Sequence, residues 1–137
     1  MYPMNIIAIV VSAIAAQVLG FLWYSPALFA TPWMKYMGLN AKKLEAAKKK
    51  MGVKYFMAFV AGIIMAAALS VFLDYALAAT LWDAVTVSLI AWVGFVATTM
   101  VTDVLFGNKP WGLFLINSGY QLVSLLVMST ILTMWPW

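Results

Sequence analysis

Four apolar runs dominate the chain, each close to the roughly 20 residues a helix needs to cross the hydrocarbon of a bilayer. They extend from about Asn5 to Tyr24, Tyr55 to Leu73, Ala84 to Phe106 and Trp111 to Trp135. No water is available in hydrocarbon to bond a peptide group, so each run has to satisfy its backbone internally, as an α-helix. The expected fold is all-α: one transmembrane domain over residues 1–137, an integral membrane four-helix bundle, with residues 32–51 forming an amphipathic interfacial helix on the cytoplasmic side between helices 1 and 2. Composition agrees, since 66% of residues are hydrophobic and 9% charged, whereas a soluble domain has about a quarter charged. The first run is read as a span and not as a cleaved leader, because no basic residue precedes it and it is longer than a typical signal core.

Lysine placement sets the expected orientation. Seven of the eight lysines lie between Lys35 and Lys54, and Lys109 is the other. All fall in the first or third connection, so the positive-inside rule puts both termini outside the cytoplasm. A net charge of +4 gathered beside a span points to anionic lipid headgroups on the cytoplasmic side, contacted by Lys42, Lys43, Lys49 and Lys50, and not to nucleic acid. Asp74 and Asp83 flank the short outer turn.

The stretch FLWYSPALFATPWMKYMG, residues 21–38, joins the first span to that basic segment. Trp23, Tyr24, Trp33, Trp111 and Trp135 sit where amphipathic rings anchor a helix at headgroup depth, and Ser25-Pro26 turns the chain out of helix. Beyond Pro32, the residues Trp33, Met34, Met37, Leu44, Ala47 and Met51 recur at helical spacing opposite Lys42, Lys43, Lys49 and Lys50. This is the pattern of a helix lying on the membrane face, broken at Gly38 and restarted with Asn40 as N-cap. A solvated lysine-rich loop is the plainer alternative, because Lys42 and Lys43 oppose the helix dipole in the first turn.

Two ladders of small residues suggest how the spans pack. Ala8, Ser12, Ala16 and Gly20 in the first span, and Ala58, Gly62, Ala66 and Ser70 in the second, permit the close backbone approach on which helix association in lipid depends. Run antiparallel, they would pair Gly20 with Ala58 and Ala8 with Ser70. The competing use is a homo-oligomer interface.

The third and fourth spans carry polar side chains. Ser88, Trp92, Phe95, Thr99 and Asp103 share a face at ordinary helical spacing, as do Asn117, Tyr120, Gln121, Ser124 and Met128. Polar groups at this depth face protein or water. They either bond helix to helix, at about 0.6 to 2 kcal/mol per contact, or line a pocket or path. Asp103 is either a carboxylate favoured by the dipole of the fourth helix or an ion contact. Gly107 and Asn108 look like the C-cap and N-cap of the turn between these spans. A weak echo, LFATPW at 28–33 and LFGNKPW at 105–111, follows an outside-to-inside helix each time. It fits either two related hairpins or shared boundary composition.

Cysteine, histidine and arginine are absent, which removes disulfides, thiolate or imidazole metal sites, and Ser-His-Asp or Cys-His chemistry. Glu45, Asp74, Asp83 and Asp103 are the only carboxylates and are scattered, so neither an enzyme nor a cofactor or metal is expected. Met57, Met65, Met100 and Met128 are spread over three spans and suit packing gaps better than a soft metal.

WYSPALF with Trp33 and Gly38, then GFVATTM, then LFLINSGYQLVSLLVMSTIL resemble the bacterial domain-of-unknown-function 1761 family, small multi-pass membrane proteins with the same order of elements. The likeness covers nearly the whole chain. It implies a four-helix architecture in a bacterial inner membrane and no established reaction, ligand or catalytic residue. In the family's pattern a histidine often follows the glycine–tyrosine pair. Gln121 stands there in this chain, and an amide does not titrate. Two roles follow as expectations: an accessory or oligomeric protein whose helices mainly pack, or a small-solute or ion pathway built by an oligomer through the polar faces of helices 3 and 4.

Overall fold

A computed structural model describes residues 4–49 and 51–136. Lys50, one of the expected headgroup contacts, lies outside the described residues. Among those residues every regular element is helical, and four helices are long and apolar enough to cross a membrane. The first is α1 (Ile6–Trp23), started by Asn5, whose side chain accepts from the Ala8 amide at 3.0 Å.

The basic connection forms α2 (Ala30–Met37) and α3 (Ala41–Lys48). Gly38 takes a left-handed conformation (φ 67°) that an L side chain resists, and Asn40 caps α3 by accepting from the Lys43 amide at 2.8 Å. Break and restart therefore fall where their turn chemistry puts them. The helical part begins at Ala30, earlier than Pro32, because proline is tolerated in a first turn that has no intrahelical partner for its nitrogen.

The second span, α4 (Met51–Tyr75), also starts earlier than the apolar run, with Lys54 in its first turn. The third begins at Leu81 and not at Ala84. Thr80 and Asp83 make a capping box in which the Asp83 amide donates to the Thr80 hydroxyl at 3.2 Å and the Thr80 amide donates to the Asp83 carboxylate at 2.8 Å. Asp83 is thus part of the helix start.

This third span is not one α-helix. It runs as α5 (Leu81–Ala91), a π-helical segment (Trp92–Ala97) and α6 (Thr98–Gly107), before α7 (Trp111–Met134). The turn between α6 and α7 differs from the expected caps. Gly107 is the last helical residue, Asn108 is the left-handed C-cap (φ 51°), and Pro110 occupies the N-cap of α7. Asparagine accepts that conformation more readily than most residues, and proline needs no amide partner at a helix start. The two echo sequences consequently build different things. LFATPW turns into α2, with Phe29 against Trp23 at 4.7 Å between centroids, whereas LFGNKPW ends one span and begins another with Phe106 86% exposed.

The central helix is α7, which packs on α1, α4, α5 and α2 and has 39% of its span buried, against 11% for the third span. One end of the bundle is filled by Ala8, Ile9, Leu69, Leu73, Leu125, Met128 and Leu132, with Ala78 and Trp135 packed on them. The beginning of α1, the α4–α5 turn and the end of α7 therefore share that end. The basic helices and Lys109 occupy the other.

The two ladders mesh only in part. Ala8, Ser12 and Ala16 are buried on α1 and Ala66 on α4, but Ala58 is exposed and Ser70 half-buried. A Cβ at Gly62 would sit 3.7 Å from Ala13, so the close approach is to Ala13 instead of Ala16. Gly20 does not face α4. A Cβ there would meet the Tyr120 hydroxyl of α7 at 3.0 Å. Ala16 and Gly20 make room for that ring, whose hydroxyl donates to the Ala16 carbonyl at 2.9 Å.

Candidate functional site

The basic end holds a cleft of about 800 Å³. It lies where α4 and α6 stand apart: α4 touches the third span through α5, and Phe72 of α4 stacks on Phe95 of the π segment at 6.3 Å. Tyr55 and Ala58 of α4 form one wall; Met100, Asp103 and Val104 of α6 form the other; Leu113, Asn117, Tyr120 and Gln121 of α7 make the floor. Met34 and Met37 of α2 and Leu44 of α3 close the end. The apolar stripe read from the basic connection thus includes Trp33, Met34, Met37, Leu44 and Met51 as cleft lining, while Lys42, Lys43 and Lys49 are exposed.

The WYSP segment reaches this floor. Trp23 donates its indole N–H to the Ile116 carbonyl at 2.9 Å and lies in the notch left by Gly119, where a Cβ would come within 3.2 Å of the ring. Tyr24 donates to Asn117 Oδ1 at 2.7 Å, and its ring meets Trp33 edge-on at 5.7 Å and Tyr120 at 5.5 Å. Trp23, Tyr24 and Trp33 are therefore docked on the protein. Of the expected anchors, Trp111 is 54% exposed and touches the Phe114 ring at 5.8 Å, and Trp135 packs on the far core. Helix α2 docks similarly, since the Tyr36 ring covers Gly112 so closely that a Cβ there would overlap it.

The polar residues of the third and fourth spans fall into three groups. Asp103, Asn117, Tyr120 and Gln121 line the cleft. Ser88 is buried away from it, donating to the Leu125 carbonyl at 3.0 Å and sharing a 2.6 Å bond with Ser129. Ser124 is buried too, and its hydroxyl, like that of Ser12, has no partner among the described residues. Thr99 belongs to neither: it is exposed and bonds back to the Phe95 carbonyl at 2.7 Å.

The misplacement of Phe95 and Thr99 has a definite cause. A π-helical turn holds one residue more than an α-turn, so the face that begins at Ser88 and Trp92 continues through Val96, Met100 and Val104. Trp92 donates to the Ser118 carbonyl at 2.8 Å, fastening the segment to α7. Asp103 is 60% exposed at the rim, in an ion pair with Lys109 at 2.6 Å. It is therefore held by a side chain from beyond the helix end, in the turn that leads into α7.

Gln17, Tyr55 and Phe114 also line the cleft and carried no signal of their own in the sequence. Gln17 donates to the Tyr55 carbonyl at 3.2 Å across the α1–α4 seam. By contrast, the Asn117 amide nitrogen and the whole Gln121 side chain have no hydrogen-bonding partner among the described residues, so they are free to bond something in the cleft.

A family model described as "Protein of unknown function (DUF1761)" matches residues 7–133. No curated protein and no solved structure matches the chain.

Proposed function

We propose that this chain, which belongs to the DUF1761 family, is a non-enzymatic multi-pass membrane protein that holds a membrane-borne amphiphile in the cleft between α4 and α6. The observation that carries this reading is a largely apolar cleft of about 800 Å³ with a few convergent polar groups on its floor, the usual make-up of a small-molecule site. Its walls part on the lipid-facing side of the bundle, where a tail can lie. Two of the carboxylates are already engaged, Asp83 in a helix cap and Asp103 with Lys109, which supports binding over catalysis.

A role in packing alone suits Ser88, which fastens α5 to α7. It does not account for the two amide NH2 groups, of Asn117 and Gln121, that have no partner among the described residues on the cleft floor. A pathway through the polar faces would have to continue beyond Gln121, where Leu69, Leu125 and Met128 fill the bundle. Lys42, Lys43 and Lys49 would face anionic headgroups beside the cleft, on the cytoplasmic side of a bacterial inner membrane.

The test is retention. Protein extracted into native nanodiscs should carry a small amphiphile detectable by mass spectrometry, and Gln121→Leu should lose it while keeping the wild-type helix content and elution, since Gln121 bonds no neighbour among the described residues. Wild-type protein with no bound amphiphile, or equal retention by the variant, defeats the proposal.

A further inference from the structure

We infer that the occupant is a lipid-tailed quinone, its ring held among the aromatic walls and its two carbonyl oxygens bonded to the amides of Asn117 and Gln121. This deepens the proposed binding role and rests on it.

The headgroup's charge is argued from the floor. Every polar side chain there is neutral: Tyr24, Asn117, Tyr120 and Gln121. The charged groups of the lining, Asp103 and Lys109, are at the rim and neutralise each other at 2.6 Å. A carboxylate or phosphate placed on that floor would be desolvated with no unpaired cation of the lining, among the described residues, to face it. An uncharged head loses much less.

The kind of neutral head follows from the free donors. Tyr24 donates to Asn117 Oδ1 at 2.7 Å, which turns the Asn117 NH2 outward as a donor. Gln121 offers a second NH2. The two residues lie four apart on α7, a spacing that puts their Cβ atoms about 5–6 Å apart on one face. That separation is comparable with the distance between the carbonyl oxygens across a para-quinone ring. An alcohol offers one oxygen and leaves one amide unmatched.

The walls suit a flat ring as well. Tyr24, Trp33 and Tyr120 meet edge-on at 5.5–5.7 Å, presenting ring faces and edges to the cleft, and Phe114 adds another. Met34, Met37, Met51 and Met100 come from three helices to the same cleft, and thioethers pack favourably against aromatic surfaces. The gap between α4 and α6 then lets the tail run into lipid.

The experiment measures saturable binding to full-length protein in nanodiscs of zwitterionic lipid, with decylubiquinone, decanol and decyl phosphate as probes. Decylubiquinone should bind at least tenfold more tightly than either other probe. Gln121→Leu should weaken it roughly tenfold, the value of one good hydrogen bond, and Gln121→Met, which nearly keeps the size and length but removes the donors, should weaken it too. Trp111→Phe, outside the cleft, should bind as wild type does.

Equal or tighter binding of decyl phosphate or decanol overturns the quinone and leaves the cleft reading standing. Decylubiquinone binding that ignores both Gln121 variants overturns the placement. No saturable binding of any probe overturns the inference, and the retention experiment above then decides whether the cleft reading falls with it.

Discussion

Trp23 and Trp111 are the same residue type at the same end of the bundle and are used differently. The indole of Trp23 donates to the Ile116 carbonyl and fills the Gly119 notch, whereas Trp111 is 54% exposed and meets the Phe114 ring at right angles. Trp23→Phe should therefore cost about 1 kcal/mol, one hydrogen bond's net worth, and Trp111→Phe less than about 0.5 kcal/mol; reversible unfolding in mixed micelles checks both. A similar cost for the two would mean that Trp23 is only an anchor. Nothing in the sequence separates them, because the acceptor used by Trp23 is a backbone carbonyl, which every residue possesses. Asn40 was legible for the opposite reason, since its partner is three residues away and the cap is set by local chemistry.

At the level of helices, fit decides what each glycine does. Gly62 sits over Ala13 with little space, while a Cβ at Gly52 meets nothing within 4 Å. Gly62→Leu should destabilise the α1–α4 pair by about 1–3 kcal/mol through overpacking. Gly52→Ala should gain up to about 1 kcal/mol of helix propensity. Thermal unfolding in detergent distinguishes them, and an unchanged midpoint for Gly62→Leu would show that the pair is not closely packed. The existence of the spans was legible from length and apolarity alone. Which faces meet was less so, because a count at 3.6 residues per turn passes correctly from Ser88 to Trp92 and then fails at the π segment. The error reaches Thr99, which that count puts on the polar face with Ser88 and Trp92 and which is exposed.

For the whole molecule, orientation is the quantity that lysine placement predicts and that helix packing leaves open. Reporter fusions after Trp137 and within the segment from Lys42 to Lys48 should report opposite sides of the membrane, with the lysines inside. Detection of the lysines outside would reverse the topology and detach the cleft from the cytoplasmic leaflet. The cleft itself was half legible. Asp103, Asn117, Tyr120 and Gln121 were recognisable as polar residues in apolar runs, but their enclosure depends on α2 and α3 folding back over them. The contact of Tyr36 with Gly112 joins two segments far apart in sequence, and no periodicity connects them.

The π segment also makes the third span a jointed rod. Above the joint α5 is clamped to α7 through Ser88, and below it α6 is an arm of 10 residues, about 15 Å long. A wide turn is where helices bend most easily. A swing of roughly ten degrees about such a joint would carry the tip of an arm that long by about 2.6 Å. The Asp103–Lys109 pair rides on that tip, so lateral pressure on the arm would widen or narrow the mouth of the cleft while the far core stays still.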